Sequence, residues 1–270
     1  MPVFLDFILR RDRWVVVGGL VLVMVLAWGY ILAGAGMGMS ALEMTRMSSG
    51  ENMSMDMGAA MQPSDWNFGY AALMFFMWWI MMVAMMLPGA ASIILLAASL
   101  NRKACANGTL YGSAGSFAAG YLLAWAAFSL VAMAAQWGMQ ELGALSSMMR
   151  TTNSVLAGAL LVAAALWQFT PLKQACLRHC RSPVHFLTRR RRKGNFGGFV
   201  MGMEHGVYCL GCCWFLMALL FVGGIMNLYW IIGLAAFVLA EKMLPYGQRI
   251  SLIAGAGLSI WGLGLIAGVI

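Results

Sequence analysis

A chain of 270 residues that is 62% hydrophobic and 10% charged does not have the composition of a soluble domain. Several apolar stretches reach the about 20 residues that cross a bilayer, so the expected fold is an all-α polytopic transmembrane helix bundle. The net charge of +8 does not point to nucleic acid, because Lys and Arg cluster in alternate loops.

Seven spans are expected, at about 14–33, 68–87 (extending to 100 if the helix survives Pro88), 114–137, 154–170, 199–223, 228–245 and 250–269. With a cytoplasmic N-terminus, 15 Lys and Arg residues fall on the inner side and only Arg46 and Arg150 on the outer. That bias fixes the orientation of a multi-pass inner (plasma) membrane protein, its partner the lipid bilayer. Residues 1–33 form an anchor and first span, 34–67 an acidic Met-rich outer loop, and 68–270 the bundle, with a basic cytoplasmic loop at 171–195. Ala33-Gly34-Ala35 resembles a signal-peptide cleavage site, which would leave six spans. The apolar core before it is longer than the usual about 7–15 residues, which favours retention.

The outer loop holds eight methionines within 25 residues, including Met53, Met55 and Met57, beside Glu43, Glu51, Asp56 and Asp65. Thioether sulfur is a soft ligand suited to copper(I), and it needs no deprotonation to bind. The plainer alternative is a loop with a methionine bias. In the second span Met74, Met77, Met81 and Met85 fall within an arc of about 80° on a helical wheel, either a thioether ladder or ordinary gap-filling packing. Pro88 predicts a kink or helix end.

At the end of the fourth span Cys176, His179 and Cys180 share one helical face at i, i+3 and i+4. They suit an exit site, with Arg178 and Arg181 favouring thiolate; a basic juxtamembrane segment on anionic lipid is the alternative. The fifth span carries the densest group. Gly198, Gly202, His205, Cys209, Cys212 and Cys213 fall within about 100° of one another. Its glycines invite close approach of another helix. Its histidine and cysteines suit copper(I), with zinc the alternative metal. An ionisable group at membrane depth marks a functional site by default, although cysteine also serves as a small apolar residue at tight contacts. Glu241 is expected to pair with a nearby Lys or Arg. The six cysteines are expected to be free thiols.

Four stretches together resemble one family: Trp78-Trp-Ile-Met-Met-Val-Ala-Met-Met-Leu-Pro88, Pro171-Leu-Lys-Gln-Ala-Cys-Leu-Arg-His-Cys-Arg181, Gly206-Val-Tyr-Cys-Leu-Gly-Cys-Cys-Trp214 and Glu241-Lys242. The family is that of the bacterial predicted metal-binding integral membrane proteins, a domain of unknown function, and the likeness runs from about 70 to 246. It implies metal binding at Cys176, His179, Cys180, His205, Cys209, Cys212 and Cys213 without naming the metal.

The expectation is an inner-membrane protein that binds a soft metal, copper(I) first, for transport, trafficking or cuproprotein assembly. A membrane or periplasmic metalloprotein would be its partner. No Walker-type nucleotide motif is present. The alternatives are a membrane thiol oxidoreductase using Cys209 and Cys212, whose spacing is that of a redox pair, and a structural subunit whose cysteines only pack.

Overall fold

The computed structural model describes residues 2–48, 66–106, 112–146, 149–189 and 192–269, and among them there is no β-strand. The helices are α1 (Pro2–Leu32), α2 (Ala41–Ser48), α3 (Phe68–Ala106), α4 (Ala114–Glu141), α5 (Ser154–Phe169), α6 (Pro171–Arg181), α7 (Pro183–Arg189), α8 (Gly194–Ala218), α9 (Leu220–Gly223), α10 (Leu228–Met243) and α11 (Gly247–Ile266). The expected all-α bundle is therefore observed. Five stretches are long and apolar enough to cross a membrane: Trp14–Leu32, Phe68–Asn101, Ala114–Glu141, Gly194–Gly223 and Gly247–Ile266. The pair α5–α6, bent by 66°, makes a sixth if it forms one broken span. The remaining expected span is α10, which at 16 residues is shorter than these.

Pro88 does not end α3, which runs on as one helix of 39 residues. Proline is tolerated inside such helices where neighbours satisfy the disturbed backbone. Two residues before the proline, the Tyr121 hydroxyl of α4 donates to the Met86 carbonyl at 3.2 Å and ties α4 to this stretch of α3.

Helices α3 and α8 form the interior. Their apolar windows are 56% and 61% buried, against 17% for α1 and for α11 at the periphery. The contact of α8 with α4 is built on glycine. A Cβ on Gly202 would stand 1.9 Å from the Phe117 carbonyl oxygen, and one on Gly120 would stand 2.0 Å from that of Phe199. Two backbones this close admit no side chain between them. Gly158 and Gly262 bring α5 and α11 together in the same way.

Contacts between helix ends sort the bundle into two poles. At one, Trp66 Nε1 donates to Gln140 Oε1 (2.9 Å), Thr151 N to the Phe221 carbonyl (2.9 Å) and Leu228 N to Thr45 Oγ1 (2.9 Å). This is the methionine-loop pole. At the other, the basic pole, Arg181 donates to the carbonyls of Leu244 (2.7 Å) and Pro245 (2.8 Å).

Two expectations need correction. The segment 34–67 is not all loop, since α2 forms within it behind a capping box. The Ser40 hydroxyl accepts from Glu43 N at 3.3 Å, and Glu43 Oε2 accepts from Ser40 N at 2.8 Å. Met44 of this helix is buried in the core rather than displayed to solvent. Second, Lys173 and Lys242, assigned to the inner surface on charge grounds, are buried inside the bundle.

Candidate metal site

Helix α8 presents Gly198, Gly202, His205, Cys209, Cys212 and Cys213 as buried residues, as its helical spacing predicts. The Cys212 and Cys213 thiols donate back along the helix to the Cys209 carbonyl at 3.0 and 2.9 Å. Their sulfurs lie near that of Cys209. Helix α6 adds another thiol, Cys180, on the side that faces Cys209 and Cys212. Cys176, one turn earlier, lies against α8 where Gly211 leaves room, since a Cβ there would stand 2.7 Å from Cys176 Sγ. Two separate sequence motifs, on α6 and α8, thus bring their sulfurs to one place. The five cysteines described are free thiols.

Three further helices close the cluster. From α10, Lys242 Nζ donates to Cys209 Sγ at 2.9 Å. Its stem passes Gly89 of α3, where a Cβ would stand 3.2 Å from Lys242 Cδ. From α4, the Tyr121 hydroxyl lies 3.3 Å from Cys209 Sγ. From α3, Met86 Sδ lies 3.9 Å from Cys213 Sγ. The cationic head of Lys242 places positive charge beside sulfur in a site of low dielectric, where pairing offsets a steep desolvation cost.

Met86 belongs to a buried run on α3. Met74, Met77, Met81, Met82 and Met85 are all buried as well, so the four expected ladder residues face the interior. At the methionine-loop pole, Gln136 Nε2 donates to Met74 Sδ (3.4 Å) and to Met149 Sδ (3.5 Å), while Trp78 Nε1 donates to Gln136 Oε1 (2.8 Å). From Met74 to Met86 the helix rises about 18 Å, linking that pole to the cysteines. Met53, Met55 and Met57 lie outside the described residues.

The two candidate histidines take different places. His205 is buried against the rings of Phe117, Tyr121 and Phe186, with centroids 5.6–6.1 Å away, and its Nδ1 has no hydrogen-bond partner. His179 stacks on Tyr208 at 4.3 Å, and its Nδ1 is 2.9 Å from the Ala175 carbonyl oxygen. Arg181 reaches the carbonyls of the α10–α11 turn, so its guanidinium is engaged away from the thiols it was expected to attend. Among the described residues no group of three or more His, Cys, Asp or Glu side chains stands ready-made around a metal position.

Beside the cluster is a second polar centre. Lys173 of α6 is paired with Glu241 of α10 at 2.8 Å, both fully buried, and Ser251 of α11 donates to Glu241 at 2.5 Å. Lys173 also donates to Gln168. Glu241 therefore pairs with lysine as expected, and its partner comes from the end of the fourth expected span. Sequence reading missed Lys242, Tyr121 and Met86 at the cluster. The only local signal was that Glu241-Lys242 and Pro88 stand in the stretches that carry the family resemblance.

Residues 75–265 match the family model PpoB2, described as copper chaperone. The chain belongs to this family, which bears out the resemblance to a bacterial metal-related membrane family. The search of curated proteins and that of solved structures found no match.

Proposed function

We propose that the protein is an inner-membrane copper(I) chaperone that takes the ion at the methionine-loop pole and holds it on the sulfur cluster of α8 and α6. The observation that carries this reading is the contact of Met86 Sδ with Cys213 Sγ at 3.9 Å. It joins a buried thioether helix to a thiol cluster, and both donor types select copper(I). Copper is the cargo. In this reading Met86, Cys213 and Cys209 are an all-sulfur ligand set from two helices, with Cys180 and Cys212 the neighbouring thiols for onward transfer. The unpartnered His205 Nδ1 supports a further ligand one turn away on the same face. Met53, Met55 and Met57 supply capture at the outer surface, and a membrane or periplasmic copper protein exchanges the ion.

The test is copper content of detergent-purified protein loaded anaerobically with Cu(I), with Zn(II) as comparison. Wild type binds Cu(I) stoichiometrically. A Cys209→Ala/Cys212→Ala/Cys213→Ala variant that still folds loses it, and a Met53→Leu/Met55→Leu/Met57→Leu variant loads more slowly. Loss of a disulfide signal in the cysteine variant, with no copper in wild type, would instead support a thiol oxidoreductase.

A further inference from the structure

Gln136 of α4 is fully buried and stands between two thioethers. Its Oε1 accepts from Trp78 Nε1 at 2.8 Å. An indole N–H only donates, so this contact tells the two ends of the amide apart. Nε2 then faces sulfur, Met74 Sδ of α3 at 3.4 Å and Met149 Sδ at 3.5 Å. Two thioethers from separate parts of the chain thus converge on one nitrogen atom. Thioether sulfur is a weak acceptor, so these hydrogen bonds are easily exchanged for a ligand that sulfur prefers. The turn between α4 and α5 delivers Met149. Leu145 and Thr151 pair across it, and Thr151 N anchors it to the Phe221 carbonyl of α9 at 2.9 Å. Met149 itself has a φ of 53°, in the left-handed region that residues other than glycine seldom adopt. Backbone strain of this kind gathers at ligand sites. Met149 is half-buried at the methionine-loop pole, and Met74 is fully buried at the start of the α3 methionine run. The pair therefore reaches from the surface to the first buried thioether of that helix, about 18 Å from Met86.

We propose that Met74 and Met149 form a copper(I) entry site, closed by the Gln136 amide until the ion arrives. The proposal rests on the copper(I) reading above and adds to it a second position with its own ligands. Copper(I) takes the sulfur lone pairs that the amide N–H groups now occupy. An N–H dipole aimed at a cation repels it, so the amide turns aside as the ion binds. Both ligands are neutral, so no proton is released and the copper keeps its oxidation state. Neutral thioethers hold the ion less tightly than thiolates do, which suits a site that accepts the ion and passes it inward. Copper bound here exchanges and is lost on desalting, whereas copper on the cysteines stays.

The full-length protein, its methionine methyls labelled with carbon-13, is titrated anaerobically with Cu(I) in detergent and read by NMR. Wild type is compared with the Cys209→Ala/Cys212→Ala/Cys213→Ala variant. The Met74 and Met149 methyl signals are those missing from Met74→Leu and Met149→Leu. Both signals are expected to move together along one binding curve, in the cysteine variant as in wild type. In Met149→Leu the Met74 signal needs about tenfold more copper to move. Gln136→Met, which removes the donor and adds a thioether, moves both signals at several-fold less copper. Signals that follow separate curves overturn the proposal, as does a Met74 signal that responds in Met149→Leu as it does in wild type. It is also overturned if wild type retains copper after desalting while neither methyl signal moves during titration, a result that leaves the sulfur-cluster reading intact. Movement of both signals in protein that retains no copper after desalting upholds this site and counts against the cluster.

Discussion

Lys242 Nζ and Cys209 Sγ, 2.9 Å apart in the interior of the bundle, join α10 to the cysteine helix. A copper(I) ion bound by two thiolates carries one net negative charge, which is costly in a medium of low dielectric unless a cation stands beside it. Lys242 is that cation. Replacing it with methionine keeps the stem and removes the charge, so Cu(I) affinity should fall at least tenfold, about 1.4 kcal/mol. Lys242→Arg should retain part of it. Competition against a chromogenic Cu(I) chelator measures both.

In the proposed route Met86 passes the ion to the thiols and does not hold it alone. Met86→Leu is close to volume-conserving and should cost less than about 1.5 kcal/mol of stability. Copper stoichiometry at equilibrium should survive, while loading of reconstituted vesicles from the methionine-loop side slows several-fold. Stopped-flow loss of Cu(I) from a Cu(I)-responsive dye on the methionine-loop side reads this directly.

The helix faces were legible in the sequence because they are local. Spacing at 3.6 residues per turn places Gly202, His205, Cys209 and Cys213 together whatever the rest of the chain does. The meeting of Cys180 with Cys209 was not legible, because periodicity orders residues along one helix and says nothing of which helices touch. Charge counting puts Lys173 and Lys242 on the inner side, because a lysine near a helix end usually reaches water. Here one finds a carboxylate and the other a thiol inside the protein. Pro88 predicts a kink or a helix end, and the helix does not end there. Helix α2 was announced by Ser40 and Glu43 at capping-box spacing, a signal outweighed by the methionine content around it.

The Lys173–Glu241 pair clamps α6 to α10 next to the cluster. Removing one partner strands a buried charge, so Glu241→Gln or Lys173→Met should each destabilise by about 3–5 kcal/mol. The double variant Lys173→Met/Glu241→Gln should recover much of that loss. Thermal melting in detergent, with all three variants side by side, checks the order.

The α4–α8 contact leaves no space at Gly202. Gly202→Ala should cost about 1–3 kcal/mol by forcing the backbones apart, and it should weaken copper binding by moving Tyr121 away from Cys209. A matched substitution at Gly233, where a Cβ meets nothing within 4 Å, should leave both unchanged.

The Ser40 hydroxyl, and next its amide, hold the Glu43 carboxyl below the usual carboxylate range. A depressed folded value means the capping contribution is present above the unfolded value and is lost as pH falls through the folded one. Protection of α2 amides, corrected for intrinsic exchange, should therefore drop on acidification in wild type. It should change little in Glu43→Gln, which keeps a capping side chain that does not titrate.

The central claim is that copper(I) sits among sulfurs drawn from α3, α6 and α8. X-ray absorption of the Cu(I)-loaded protein tests it most directly. A first shell of sulfur alone, lost in the Cys209/Cys212/Cys213 triple alanine variant and altered in Met86→Leu, is the predicted result. A shell of nitrogen and oxygen, or a sulfur shell that survives all three cysteine substitutions, would contradict it.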